Sequence, residues 1–348
     1  MSQMRIATAA GAALFVLSLH AQSPTASLPV TEASDGYHLL DWLGSSNLAD
    51  YNEWWYFNLY DSTNNVQAIF VYQIANPLNV SSFGVSELST AIYTSAGIEV
   101  DGSVYLTPAF SADVLKADVT IGKANSVTVI DDDTYQITGA TRDGKVAWNL
   151  KYQRRATSWY AANRLNVAAQ PWELMSWLVY MPAAAVSGTL TASGTTYQVN
   201  ATGYHDHNWG EWSFSSVPWN WAQTSQLNLT FDLGDFPDQQ VGTASVEVNG
   251  QRYVFEHSQY TLTHTQWAYD PIFMVNYPSQ SVFQGNNGAA QITVTMNVIA
   301  NEGLATSSSP PMLVIYEQTA AYTGQVTIGS TVSNIASNGF KEYATVVP

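Results

Sequence analysis

Alternation with a period of two runs through most of this chain. Trp54 to Tyr60 (WWYFNLY) and Val66 to Ile74 (VQAIFVYQI) are aromatic and β-branched runs on either side of Asp61-Ser62-Thr63-Asn64-Asn65, the pattern of a hairpin. Short alternating segments follow over 128–137, 146–153, 188–199, 242–248, 251–256, 291–299 and 313–317, punctuated by Asp143-Gly144, Asn249-Gly250 and a turn at Gly324. The apolar run from Pro171 to Met181 (PWELMSWLVYM) is ambiguous by periodicity, and its flanks favour a strand. Helical periodicity longer than about ten residues is absent outside the first twenty. Strands at this spacing without intervening helices predict an all-β fold of antiparallel barrels or sandwiches. No short-period repeat suggests a propeller or solenoid.

The first residues follow a different rule. Arg5 supplies a positive start, and Ile6 to Leu19 is an apolar stretch of signal-peptide length followed by small and polar residues, so 1–21 is expected to be a cleaved secretory signal. No second apolar run of about 18 residues follows, so no membrane anchor is expected. The sequons at Asn79, Asn200 and Asn228 are then candidate glycosylation sites, in the endoplasmic reticulum lumen, a vesicle or outside the cell. The chain of 348 residues has no cysteine, which excludes disulfides, zinc–thiolate sites and a cysteine nucleophile. A secreted chain without disulfides must rest on a sizeable packed core. Eleven basic against 27 acidic residues, a net charge of -16, argue against a nucleic-acid partner or an anionic membrane surface.

Aromatic residues cluster in two places: Glu53-Trp54-Trp55-Tyr56-Phe57, and Gly203-Tyr204-His205-Asp206-His207-Asn208-Trp209-Gly210 continuing to Trp219-Asn220-Trp221. Together with Tyr322-Thr323-Gly324-Gln325-Val326-Thr327-Ile328-Gly329 and Gly339-Phe340-Lys341-Glu342-Tyr343, these blocks resemble the carotenoid 1,2-hydratase (hydroxyneurosporene synthase) and AttH-like family, and fungal lipocalin-like Diels–Alderases are similar in the same places. The resemblance spans about residues 50 to 345. It implies two lipocalin-like (calycin) antiparallel β-barrel or sandwich domains, 22–205 and 206–348, with a ligand cavity in or between them. It also implies a hydrophobic small-molecule substrate: a polyene, quinone methide, polyketide or terpenoid. No nucleotide-binding glycine motif, Walker loop or G-x-S-x-G elbow is present, and no cofactor or metal is assigned.

Three activities fit that resemblance: a cofactor-free pericyclase of fungal secondary metabolism performing a [4+2] cycloaddition, a hydratase adding water to an alkene, and a carrier that binds without reaction. The first is preferred, because the His-x-Trp of the hydratase pattern is Met175-Ser176-Trp177 here. Oligomeric state is left open.

On a strand, His205 and His207 share one face while Tyr204, Asp206 and Asn208 share the other. The histidines are either two metal ligands, with Glu211 or His257 as distant third candidates, or are bonded to backbone and carboxylates. Tyr204 and Asp206 form a phenol–carboxylate pair suited to general acid work, because desolvation among aromatics raises a carboxyl pKa. Asp206, Tyr204 and His207 are the catalytic candidates. Glu53 either pairs with His207 across the barrel mouth or caps its strand. Trp54, Trp55, Trp209, Trp219 and Trp221 are candidates for a ligand-stacking wall, led by Trp55 and Trp221, with Trp177, Tyr72, Tyr316 and Tyr322 behind them.

Overall fold

The computed structural model describes residues 28–306 and 312–347, so the expected signal at 1–21 lies outside the described residues. The fold is all-β. Two antiparallel sheets of twelve and nine strands stand side by side, the first curled into a nearly closed barrel and the second into a half-barrel. The predicted hairpin is the strand pair Tyr51–Asp61 and Val66–Ala75, and the ambiguous apolar run enters the strand Leu174–Ala192.

Two segments expected as single strands are hairpins. The first divides into Asn125–Asp131 and Thr134–Ala140, with the Asp133 N–H donating to Asp131 Oδ1 at 3.0 Å. The second divides at Ser193-Gly194, where both residues have positive φ (51° and 72°), as a two-residue hairpin turn requires. A two-residue turn leaves the alternation nearly uninterrupted, which hides the reversal from a periodicity argument.

The strand Thr195–Glu211 carries the central aromatic motif and lies in the middle of the first sheet, between Tyr51–Asp61 and Leu174–Ala192. A division at 205/206 would therefore cut a strand whose hydrogen bonds all go to first-sheet neighbours. The change of sheet falls later, between Glu211 and the strand Trp219–Gln226.

Register then sorts the motif into two faces. Trp55 lies opposite His207, Tyr56 opposite Asp206 and Phe57 opposite His205. Trp55, Phe57, His205 and His207 point into the barrel; Tyr56, Tyr204 and Asp206 point out, toward the second sheet. Accordingly the buried apolar residues form three clusters. One fills the first barrel, around Trp55, Phe57, Tyr72 and Tyr135. One fills the half-barrel, around Phe231, Phe283, Val294 and Tyr322. The third lies between the sheets and contains Tyr56, Trp177, Tyr204, Trp212, Trp221 and Phe340. At roughly 1.5–3 kcal/mol for each large apolar side chain removed from water, this third cluster joins the sheets as a core does. Gly234 permits a close approach of the sheets, since a Cβ there would sit 2.6 Å from a ring carbon of Trp177.

Residues 28–50, with short 3-10 turns at Glu32–Asp35, Leu39–Trp42 and Leu48–Asp50, deliver Asp35, Tyr37 and His38 to the first barrel. Asn79, Asn200 and Asn228 are exposed.

Candidate active site at the sheet junction

The outward face of the central strand meets the second sheet at Asp206. Its Oδ2 accepts two hydrogen bonds, from Trp177 Nε1 and from the Tyr204 hydroxyl, each at 2.8 Å. Its Oδ1 accepts one long bond from Asn208 Nδ2 at 3.3 Å. With both lone pairs of Oδ2 engaged, the proton of the neutral acid belongs on Oδ1. The carboxyl is 2% exposed. Burial pushes its pKa up, the Tyr204 and Trp177 bonds pull it back, and the balance stands at about 6. Burial and the neighbouring Asp206 charge hold the Tyr204 phenol well above its ordinary value, so it stays a donor.

A partly open cavity of about 50 Å³ lies in front of this acid. At roughly 10–15 Å³ per water centre it has room for a few waters, or for one end of a ligand. Trp54, Trp177, Trp212, Trp219 and Trp221 line it, with Met175 and Glu342. The Trp221 ring lies 5.1 Å from Tyr56 and 5.5 Å from Tyr204, in edge contacts. On the second sheet Trp219 Nε1 donates to Glu342 Oε2 at 2.8 Å. Burial raises the pKa of Glu342, and Asp206 adds to the rise. Glu317 lies directly across from Glu342 on the neighbouring strand, and burial and that adjacent carboxyl push it up as well. Asp232 is lifted by burial to about 7.

The inward face holds a different assembly. His207 lies between two carboxylates, its Nδ1 3.2 Å from Asp35 Oδ1 and its Nε2 2.8 Å from Glu53 Oε1. It is flanked by the rings of Trp55 and Trp209 at 4.5 and 4.8 Å. Burial disfavours the imidazolium, but Asp35 and Glu53 outweigh it and raise the pKa. Burial likewise pushes both carboxyls up, and the histidines beside them bring both below the ordinary value. His205 Nδ1 lies 2.9 Å from the Tyr56 carbonyl and Nε2 2.9 Å from Asp35 Oδ2. Tyr51 donates to Glu53, and Tyr135 to Asp35 at 2.8 Å.

The sequence-predicted residues thus separate into two groups. Asp206, Tyr204, Trp177 and Trp221 come together at the junction. His207, Glu53, Trp55 and Trp209 do not: they pack inside the first barrel, because odd and even positions of a strand face opposite ways. His207 accordingly sits between two carboxylates that favour its protonated form, and not in the junction cavity. Glu53 makes the pairing with His207 that was one of its two expected roles. Tyr72 is also interior, its hydroxyl accepting from Trp148 Nε1 at 3.0 Å. Tyr316 donates to Asp270 at 3.0 Å and Tyr322 to the Phe340 carbonyl, both within the second sheet. Of the expected metal ligands only His207 belongs to a cluster of ligand atoms, and its companions there are His38 and Glu53, which were not expected, with the three atoms within 4.8 Å of one another. Glu53 and His207 already satisfy each other by a hydrogen bond, and His205, Glu211 and His257 do not join the group.

Trp54 and Trp219, candidates for the cavity wall from the sequence, also line the pocket, whereas Glu342 and Tyr56 are pocket residues that sequence reasoning did not select. Glu342 has a signal, as a carboxylate in a strand that pairs with the Trp219–Trp221 segment, but the pairing is visible only in the fold.

These features describe a two-sheet lipocalin-like scaffold with a buried carboxylic acid facing an indole-lined cavity. No protein-family model matches the chain, and no curated protein matches it in sequence. Solved structures do match in fold. A protein assigned as AttH from Nitrosomonas europaea superposes with a TM-score of 0.67 at 13% identity, over 90% of this chain and 98% of that one. Kievitone hydratase from Nectria haematococca superposes with a TM-score of 0.59 at 14% identity, over 92% of this chain and 94% of that one.

Proposed function

We propose that the junction cavity is the active site of a cofactor-free enzyme of the hydratase or lyase type, which protonates a carbon–carbon double bond in a hydrophobic ligand. Asp206 carries this reading: a buried carboxyl with a pKa of about 6, fixed by two donors on one oxygen and free to present its proton from the other. An acid of that strength suits an alkene whose cation is tertiary or delocalised, hence an isoprenoid or polyene end. The surrounding indole faces favour positive charge on that carbon. The step balances simply: the proton passes from Asp206 to one carbon, water bonds to the other, and water's proton returns to a carboxylate. The cavity's small volume fits an alkene end better than a whole folded polycycle. A fold neighbour named as a hydratase supports the same class.

One observation favours a second reading, the [4+2] cyclisation. Met175 stands where the resembling hydratase pattern has histidine, and it lines the cavity as an apolar group. Catalysis would then rest on holding the reacting ends together, worth about 7–11 kcal/mol in favourable cases. Asp206→Asn separates the readings. Loss of water addition with ligand binding retained supports the acid mechanism; undiminished turnover refutes it, and a ligand recovered unchanged from the wild type indicates a carrier. We further propose that the protein enters the secretory pathway and carries glycans at the exposed Asn79, Asn200 and Asn228, which intact mass before and after deglycosylation would test.

A further inference from the structure

Three polar groups in the junction cavity have capacity that the protein itself leaves unused. The Tyr56 hydroxyl and Trp221 Nε1 are buried, their residues only 3% and 8% exposed, and among the described residues neither makes a well-formed hydrogen bond, although Asn58 approaches the first and the Tyr204 hydroxyl the second. Both residues line the cavity. Leaving such donors poorly paired away from water is unfavourable, and a ligand oxygen would relieve it. The third group is Glu342, which uses Oε2 to accept from Trp219 while no described residue donates to its Oε1. Glu342 and Trp221 are direct partners across neighbouring strands, and the Tyr56 and Trp221 rings are 5.1 Å apart, so the three belong to one corner.

We propose that Tyr56, Trp221 and Glu342 form a hydroxyl subsite, which binds the water that adds to the ligand and, in the product, the tertiary alcohol that results. This rests on the acid mechanism of Asp206 and extends it to the second sheet. The oxygen accepts from Tyr56 or Trp221 and donates to Glu342 Oε1, keeping a lone pair for carbon. When the carbon–oxygen bond forms, the oxygen's proton passes to Glu342, as Asp206 on the first sheet has given its own proton to the adjacent carbon. Acid and base thus come from opposite sheets. Neither sheet alone is a complete site.

Binding of two probes of nearly equal shape tests the subsite without turnover, and therefore separately from the Asp206→Asn experiment. Dimethylphenethyl alcohol carries a tertiary hydroxyl; neopentylbenzene has a methyl group in its place. Quenching of the cavity tryptophans reports both affinities. The wild type is expected to prefer the alcohol by about tenfold or more, the scale of one or two hydrogen bonds to a buried site. Tyr56→Phe should reduce that preference and Glu342→Leu should abolish it. Unchanged affinity for neopentylbenzene shows that each variant keeps its cavity intact. Equal wild-type affinity for the two probes, no binding of either, or a preference that survives both substitutions overturns the proposal.

Discussion

Replacing Asp206 by asparagine should make the protein more stable at neutral pH even as it removes the proposed acid. Folding carries this carboxyl from an ordinary value of 3.8 to about 6, because burial opposes its charge more than Tyr204 and Trp177 support it. A group whose folded pKa is raised holds its proton more tightly when folded, so its contribution falls as pH rises from about 4 through about 6. A shift of about two units corresponds to a cost of about 3 kcal/mol above that window, and to about 0.5 kcal/mol near pH 4. Asparagine is nearly the same shape, and its oxygen can still accept from Tyr204 and Trp177, so the change removes mainly the charge. The expected stability difference between variant and wild type is therefore about 2.5 kcal/mol more favourable to the variant near pH 7.5 than near pH 4. Asp232 and Glu342 are each raised partly by Asp206, so relieving that repulsion acts in the same direction. Denaturant unfolding of both proteins at the two pH values measures this difference, and any pH-independent change in hydrogen bonding cancels from it. A difference that is flat within about 0.5 kcal/mol, or that favours the wild type at the higher pH, would refute the argument that desolvation dominates at Asp206.

Tyr204→Phe removes one of the two donors to Asp206 Oδ2, and with it a bond to a charged group worth about 1.5–3 kcal/mol; the carboxyl should then titrate about one to two pH units higher. The infrared band of the protonated carboxyl, assigned by its loss in Asp206→Asn, reports this shift, and an unmoved or lowered titration contradicts it. Breaking the buried His207 cluster with His207→Asn should cost about 3–5 kcal/mol. Because its imidazolium is favoured on folding, that contribution is full below the unfolded value near 6.5 and fades as pH rises through the higher folded value. Asp35 and Glu53 set the acid limit, since their depressed values lose stability as pH falls below about 4. Unfolding midpoints across pH should therefore show the largest loss in the mildly acidic range. Gly234→Ala forces the Trp177 indole to move from a Cβ otherwise 2.6 Å away, at about 1–3 kcal/mol, and should lower activity together with stability by disturbing the bond to Asp206. A variant with wild-type melting and turnover would show that the junction accommodates it.

The all-β class and the two-faced central motif were legible because a strand needs only its own alternation to sort its side chains. That sufficed to place Tyr204 and Asp206 together and apart from His205 and His207. It could not tell which face met the junction cavity. His207 carries the residue type most often used for proton transfer, and Trp55 stands in the densest aromatic run, yet both lie on the inward face, where Asp35 and His38 arrive from a segment with no strand pattern of its own. The junction, by contrast, is made by pairing between positions far apart in sequence. Trp219 meets Glu342 across 123 residues, and Trp177 meets Gly234 only because two separate sheets pack face to face. Alternation says that Trp219 and Trp221 share a face and that Glu342 and Phe340 share one; which strand lies beside which is a property of the closed sheet. The same reason explains why an acid could be proposed from sequence alone and its partner base could not. Two of the three donors to Asp206, Tyr204 and Asn208, are its own strand neighbours, whereas Glu342 acquires its surroundings, and so its chemistry, entirely from the fold.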